Sequence, residues 1–157
     1  MDLSGQIRTT CPPDQLVRIM RDPAALAKLL PGGSKLDQTG DGEYTFSVAK
    51  SVGPIRLVLP GSMHLQPSGS GLDHSLTARA AHLIGGKVDL TLSLAFTADA
   101  KGTQMAYVGE LTATGLAGRV LHENRGRANS SLKAALARLR DHAEAQMRRP
   151  AGGVSPV

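Results

Sequence analysis

The chain has 157 residues, 41% of them hydrophobic and 20% charged, and a formal net charge of +5. That is the length of one domain, enough to bury roughly 68–70% of the unfolded surface, and the composition excludes disorder. No run of about 18 apolar residues is present to cross a membrane as a helix, and the single cysteine excludes an internal disulfide or a multi-cysteine metal cage.

The opening residues, MDLSGQIRTT, lack the basic start and apolar stretch of a secretory signal, so a cytoplasmic location is expected. Leu3, Gly5 and Ile7 alternate and predict a strand over 3–9. Pro12-Pro13-Asp14 opens a short helix with Leu16, Val17 and Met20 inward. Asp22-Pro23 reads as an N-cap with proline in the first helical position. A second helix then runs to Leu30, where Pro31-Gly32-Gly33 stops it. Turn signals follow at Gly40-Asp41-Gly42, Gly53-Pro54, Ser68 to Gly71, Gly85-Gly86 and Asp99 to Gly102. Between them the period is two. Tyr44, Phe46 and Val48 share a face, as do Ile55, Leu57, Leu59, Met63 and Leu65, with a bulge or bend expected at Pro60-Gly61. In 87–97, Val88, Leu90, Leu92, Leu94 and Phe96 oppose Asp89, Thr91, Ser93 and Thr97, the pattern of an antiparallel strand with one wet face. Residues 103–113 pair with it and place Met105, Tyr107 and Leu111 on one face.

After Gly115 the period becomes helical and stays so to about Met147. The expected fold is therefore α+β: a curved antiparallel sheet of about seven strands wrapped around one long C-terminal helix, with two short helices after the first strand. A sheet with one apolar face needs a cover, and only that helix is large enough. One domain is expected over 1–147, with a flexible basic, Gly- and Pro-containing tail over 148–157.

The long helix has two characters. Its second half carries the core stripe Leu132, Leu136, Leu139 and Ala143. Its first half carries Leu116, Val120 and Leu121, then Asn124, Ala128 and Ser131, and is poor in large apolar groups. Small residues facing a broad concave sheet leave either a cavity or a closer-packed, filled interior. A cavity would be lined by Phe46, Leu57, Leu59, Met63, Leu76, Leu90, Leu92, Leu94, Met105, Leu116 and Val120, with Tyr107 and Asn124 as the polar groups able to orient a ligand carbonyl.

Charge is concentrated at the same end. Residues 1–114 carry ten Lys/Arg and ten Asp/Glu, whereas residues 115–157 carry eight Lys/Arg and three acids. Such a basic helix suits an anionic surface or is simply a solvated face. Of the anionic partners nucleic acid is the least expected, and none is assigned, because base-stacking aromatics do not accompany the basic residues.

Several short motifs, in order, resemble the G-subunit family of carbon monoxide dehydrogenase. They are Met1-Asp2-Leu3-Ser4-Gly5, Pro13 to Val17, Asp22-Pro23, Leu30-Pro31-Gly32, Thr39-Gly40-Asp41, Val52-Gly53-Pro54-Ile55 with Gly61, and Leu116-Ala117-Gly118-Arg119-Val120. The likeness spans roughly residues 1–140. It implies the helix-grip fold of the START-like, polyketide cyclase-like (SRPBCC) superfamily. It also implies a non-catalytic accessory protein of a carbon monoxide dehydrogenase-type molybdenum hydroxylase, with a pocket for a lipid- or quinone-like molecule and a role in membrane or respiratory-chain coupling. Typical members carry a Phe-Phe pair late in the last helix, where this chain has Ser131-Leu132-Lys133-Ala134-Ala135-Leu136, and some end in a membrane-binding helix, where this chain has Ala151 to Val157. The expected membrane role is thus a weak peripheral contact at the inner face through the basic helix, worth about 1 kcal/mol per Lys or Arg near anionic lipid.

Groups that could do chemistry are few. His64, His74, His82, His122 and His142 form no i, i+4 ligand pair, and His122-Glu123 does not extend to H-E-x-x-H. Cys11, before Pro12, reads as a buried inert thiol. No catalytic residue, metal site or cofactor is expected. Besides the ligand-binding accessory protein, two readings stay open: a ligand-free assembly factor acting through its surface, and a cyclase or hydrolase of the same superfamily.

Overall fold

The computed structural model describes residues 1–30, 34–52, 54–69, 71–82 and 86–148, and the side chains of all these except 50–52, 55–57, 82, 120 and 125. Seven strands form one antiparallel sheet: β1 (Asp2–Thr9), β2 (Lys35–Gly40), β3 (Glu43–Val52), β4 (Ile55–Pro67), β5 (His74–His82), β6 (Gly86–Asp99) and β7 (Gly102–Thr114). Their spatial order is β1-β7-β6-β5-β4-β3-β2. The helices are α1 (Pro13–Met20), α2 (Pro23–Leu26), α3 (Gly115–Glu123) and α4 (Arg125–Arg148), with a 3-10 turn at Ala27–Leu29. The two short helices and the turn carry the chain from one edge strand to the other. Residue 148 still lies in α4, and the rest of the expected tail lies outside the described residues.

Local chemistry sets the helix starts. Asp22 Oδ1 accepts from the Ala24 N–H at 3.0 Å, with Pro23 as the first helical residue. Leu16, Val17 and Met20 of α1 are buried, as the sequence predicts. The turns expected around Pro31 to Gly33, Gly53, Ser70 and Gly85 fall wholly or partly outside the described residues.

Two expectations need correction. The Pro60-Gly61 pair makes no bulge, because β3 and β4 keep one register from Glu43↔His64 to Val52↔Ile55. Gly61 instead makes room: a Cβ there would overlap the ring of its cross-strand partner Phe46. The C-terminal helix is also not continuous. It breaks at Asn124, whose N–H donates to Leu121 O and whose carbonyl accepts from the Arg127 N–H at 2.8 Å. Asparagine followed by Arg125-Gly126 is a poor helix interior, so the break falls where propensity is lowest.

The register stacks the inward residues in rows across the sheet. The lower rows are large: Phe96–Met105–Ile7, Leu94–Tyr107–Gly5 and Leu65–Leu76–Leu92. They pack with Leu136 and Leu139 of α4 into one buried cluster. The upper row, Phe46–Gly61–Ala80–Val88–Ala113, is small apart from Phe46, and the row beneath it, Tyr44–Met63–Ala78–Leu90–Leu111, is mixed.

Both ends of α4 also close the open edge of β1. The Ser4 N–H donates to Asn129 Oδ1 at 3.2 Å, the Thr10 N–H donates to Glu144 Oε2 at 3.2 Å, and the Thr9 hydroxyl donates to the same oxygen at 2.8 Å. Behind them the Cys11 N–H donates to Thr9 Oγ1, and the Thr103 hydroxyl donates to Cys11 O at 2.6 Å. Cys11 and Thr103 are wholly buried. Burial pushes the Cys11 thiol up from its ordinary pKa, and the Glu144 and Asp14 carboxylates add to the shift.

Glu144→Ala removes the acceptor of two donors at this edge. It should destabilise the fold by about 1–3 kcal/mol, while Glu144→Gln, which keeps one acceptor oxygen, should cost less. Urea unfolding should show lower midpoints at an unchanged slope. Equal midpoints for all three forms would mean that this edge carries none of the stability.

Candidate functional site

Above the packed rows the helix segment and the sheet separate. A pocket of about 870 Å³ lies between them, within the range of small-molecule sites, roughly 300–1,000 Å³. Its floor comes from the upper two rows and the Val48–Leu59 pair beyond them: Phe46 and Val48 on β3, Leu59 on β4, Ala78 and Ala80 on β5, Val88 and Leu90 on β6, and Leu111 and Ala113 on β7. Its roof is Leu116, Ala117 and Leu121 of α3, then Ala128, Leu132 and Ala135 of α4. Leu3 and Leu29 close the sides. Alanine on both walls is the reason for the space: neither the floor row nor the helix supplies side chains long enough to meet. Polar groups are Glu123, Asn124, Arg127, Ser131 and Arg138 on the helix side and rim, and Arg79 on β5, which is ion-paired with Asp89.

Phe46, Leu59, Leu90, Leu116 and Asn124, expected at a cavity, line this pocket. Met63, Leu76, Leu92, Leu94, Met105 and Tyr107 are instead 1–3% exposed members of the closed cluster. They share the inward face, but apart from Met63 they sit in rows below the pocket, under the large side chains of α4. The side chains of Leu57 and Val120 fall outside the described residues. Nothing in the sequence marks the sheet alanines, Ala117, Ala135, Leu29 or the three arginines Arg79, Arg127 and Arg138 as site residues. Cross-strand alignment is what finds the alanines, because Ala78 pairs with Leu90 and Ala80 with Val88.

Tyr107 lies across Gly5, where a Cβ would overlap the phenol. Its hydroxyl is buried with no hydrogen-bond partner among the described residues. The Tyr44 hydroxyl, by contrast, donates to Arg21 O at 2.5 Å. Burial raises both phenols above their ordinary pKa of 10.0; at Tyr44 the nearby Arg21 charge partly offsets this. His74 is a satisfied core residue. Its Nδ1 lies 2.6 Å from Leu72 O, its Nε2 3.4 Å from Arg21 Nη1, and its ring meets Phe96 edge-on with centroids 6.2 Å apart. Among the described residues no group of three His, Cys, Asp or Glu is placed to hold a metal, and no helix is long and apolar enough to cross a membrane.

A curved antiparallel sheet gripping a C-terminal helix, with an apolar pocket between them, is the architecture of the START-like, polyketide cyclase-like class. Solved structures share it. A conserved protein from Geobacillus kaustophilus matches with a TM-score of 0.72 at 14% identity, over 92% of this chain and 95% of that one. The Zhui aromatase/cyclase from Streptomyces sp. R1128 matches at 0.66 and 18%, over 98% and 99%. A STAR-related lipid transfer protein (fragment 25–204) from Xanthomonas axonopodis matches at 0.59 and 16%, over 90% and 84%. No curated protein matches in sequence. The chain belongs to the CoxG family, the G-subunit family of carbon monoxide dehydrogenase, whose model matches residues 5–136.

The two tyrosines make opposite predictions. Tyr107→Phe deletes a buried hydroxyl that pairs with nothing described, so stability should hold or rise by up to about 1 kcal/mol; Tyr44→Phe loses a bond and should cost about 1 kcal/mol. Because both phenols ionise more readily in the unfolded chain, stability should be level below pH 10.0 and fall as the pH climbs through the raised values. Tyrosinate absorbance should therefore appear late in an alkaline titration and together with unfolding. Equal loss from both Phe variants would contradict the burial described for Tyr107.

Proposed function

We propose that this chain is a non-catalytic accessory protein that holds a lipid- or quinone-like molecule and serves a carbon monoxide dehydrogenase-type molybdenum hydroxylase. The observation that carries the reading is the pocket itself: about 870 Å³, apolar on the sheet side, and built by small residues on two elements rather than left by a single misfit. Membership of the CoxG family supports the link to such an enzyme. The likeness to a lipid transfer protein supports the ligand class. A bound quinone would couple a soluble oxidoreductase to a membrane pool, and the basic helix gives the protein a weak peripheral contact with anionic lipid at the inner face. The aromatase/cyclase neighbour keeps one rival in view. Catalysis needs an acid, base or nucleophile positioned against the substrate, whereas the sheet side of this pocket is apolar apart from Arg79, which is ion-paired with Asp89.

Native mass spectrometry of freshly purified protein, followed by organic extraction, tests the reading. A stoichiometric lipid or quinone is expected. Ala128→Trp fills the roof of the pocket and should abolish retention while leaving the circular dichroism spectrum and cooperative unfolding in place. An empty wild-type chain that also fails to take up added quinone or fatty acid would shift the assignment to an assembly factor.

A further inference from the structure

One end of the pocket differs from the rest. Among the described residues that line it, Phe46 alone is aromatic. The whole chain has two Phe, two Tyr and no Trp, so a ring at this place is a scarce group. The Phe46 ring reaches across from β3 to β4 and lies over Gly61, where a Cβ would overlap it. Its two flanks are unlike. On one side its cross-strand neighbour is Leu36 of β2, and on the other the row steps down through Gly61 to Ala80. A ring that served packing alone would be met by large side chains on both flanks.

The next strand supplies the room beside that ring. Ala80 pairs with Gly61 and Ala78 with Met63, and both alanines line the pocket. Neither carries more than a methyl group, and both stay partly exposed. Neighbouring strands lie about 4.8 Å apart. A flat ring resting on Ala78 and Ala80 thus falls beside the Phe46 ring, within the roughly 4.5–7 Å over which aromatic pairs attract. Beyond the alanines the apolar surface continues over Val88 and Ala113. It ends at Leu116 and Leu121 of α3, which line the same pocket.

Resting on the ligand-binding reading, we propose that Ala78 and Ala80 form a slot for a planar conjugated ring and that Phe46, paired with that ring, selects ring-bearing ligands over saturated ones. The aliphatic part of the ligand runs over Val88 and Ala113 toward α3. The slot selects by flatness and polarisability. It makes no demand for charge, in keeping with a neutral ligand.

The test uses the full chain stripped of retained ligand and calorimetric titration with two neutral bicyclic ketones. Dimethylnaphthoquinone is planar and has no free quinone position for thiol addition; decalone is saturated. In Phe46→Leu the ratio of the two affinities should fall about twofold to tenfold, the worth of one aromatic pair. Phe46→Met takes its place if Phe46→Leu does not unfold cooperatively. Ala80→Leu fills the slot with Phe46 intact and should weaken dimethylnaphthoquinone binding about tenfold. A ratio unchanged from wild type, an equal loss of both probes included, overturns the role of Phe46 and leaves the ligand pocket standing. Undiminished dimethylnaphthoquinone binding by Ala80→Leu overturns the placement of the ring over the alanines. A wild-type chain that binds neither probe overturns the ligand-binding reading and this inference with it.

Discussion

The architecture depends on a match of side-chain size between α4 and the rows of the sheet. Leu136 and Leu139 reach rows of Leu, Met and Phe, and the contact closes completely. Fully burying each such side chain is worth about 1.5–3 kcal/mol. One helical stretch earlier, Ala128 and Ser131 face Ala80, Val88 and Ala113, and contact is not made. The pocket is thus the far end of the same interface that forms the core. Along α4 the difference between the two ends is a change of side-chain volume, from Leu136 and Leu139 to Ala128 and Ser131.

Polar closure reinforces the packed end. The β1 edge would expose a row of N–H and C=O groups, a hazard for strand pairing with other chains. Asn129 and Glu144 satisfy donors along it, and Thr9, Cys11 and Thr103 continue the network inward. Asn129 lies one residue from Ala128 of the roof, yet it faces β1 rather than the pocket. α4 is thereby fixed in rotation as well as position, and its rotation decides which side chains meet the cavity. The break at Asn124 lets α3 follow β6 and β7 independently, so the roof is assembled from two segments instead of one rigid rod.

Much of this is legible in the sequence. Alternation in 87–97 and 103–113 identifies the inward face of both strands, and Asp22-Pro23 marks a helix start that the Asp22 cap confirms. The change in character along the last helix, from Leu132, Leu136 and Leu139 back to Asn124, Ala128 and Ser131, points to the open half. What cannot be read is row. Leu90 and Leu92 are equivalent to a period of two, yet one lines the pocket and the other is sealed in the core. Only strand register separates them, and register is set by pairing partners distant in the chain. The same blindness hides Ala78 and Ala80: an alanine on an inward face carries no signal until its neighbours and the helix opposite are known. Pro60-Gly61 misleads for a related reason. The glycine serves the ring of Phe46 across the strand pair, a requirement that no local pattern expresses.

Stability and recognition are therefore divided between the two halves of one interface. The lower rows and the Glu144 network form the closed half, joined at its upper border by Tyr44, Phe46 and Met63. The small residues of the upper rows, Ala78, Ala80, Val88 and Ala113, face open space and contribute little burial. Substitutions there change the shape and polarity of the pocket at low cost to the fold, which is the condition for a scaffold to acquire new ligands. The converse also follows. A ligand that fills the space buries the exposed apolar floor, adds the missing contacts between helix and sheet, and stabilises the folded chain by mass action. Occupancy and folding are thus linked through the one interface that the packed half leaves unfinished.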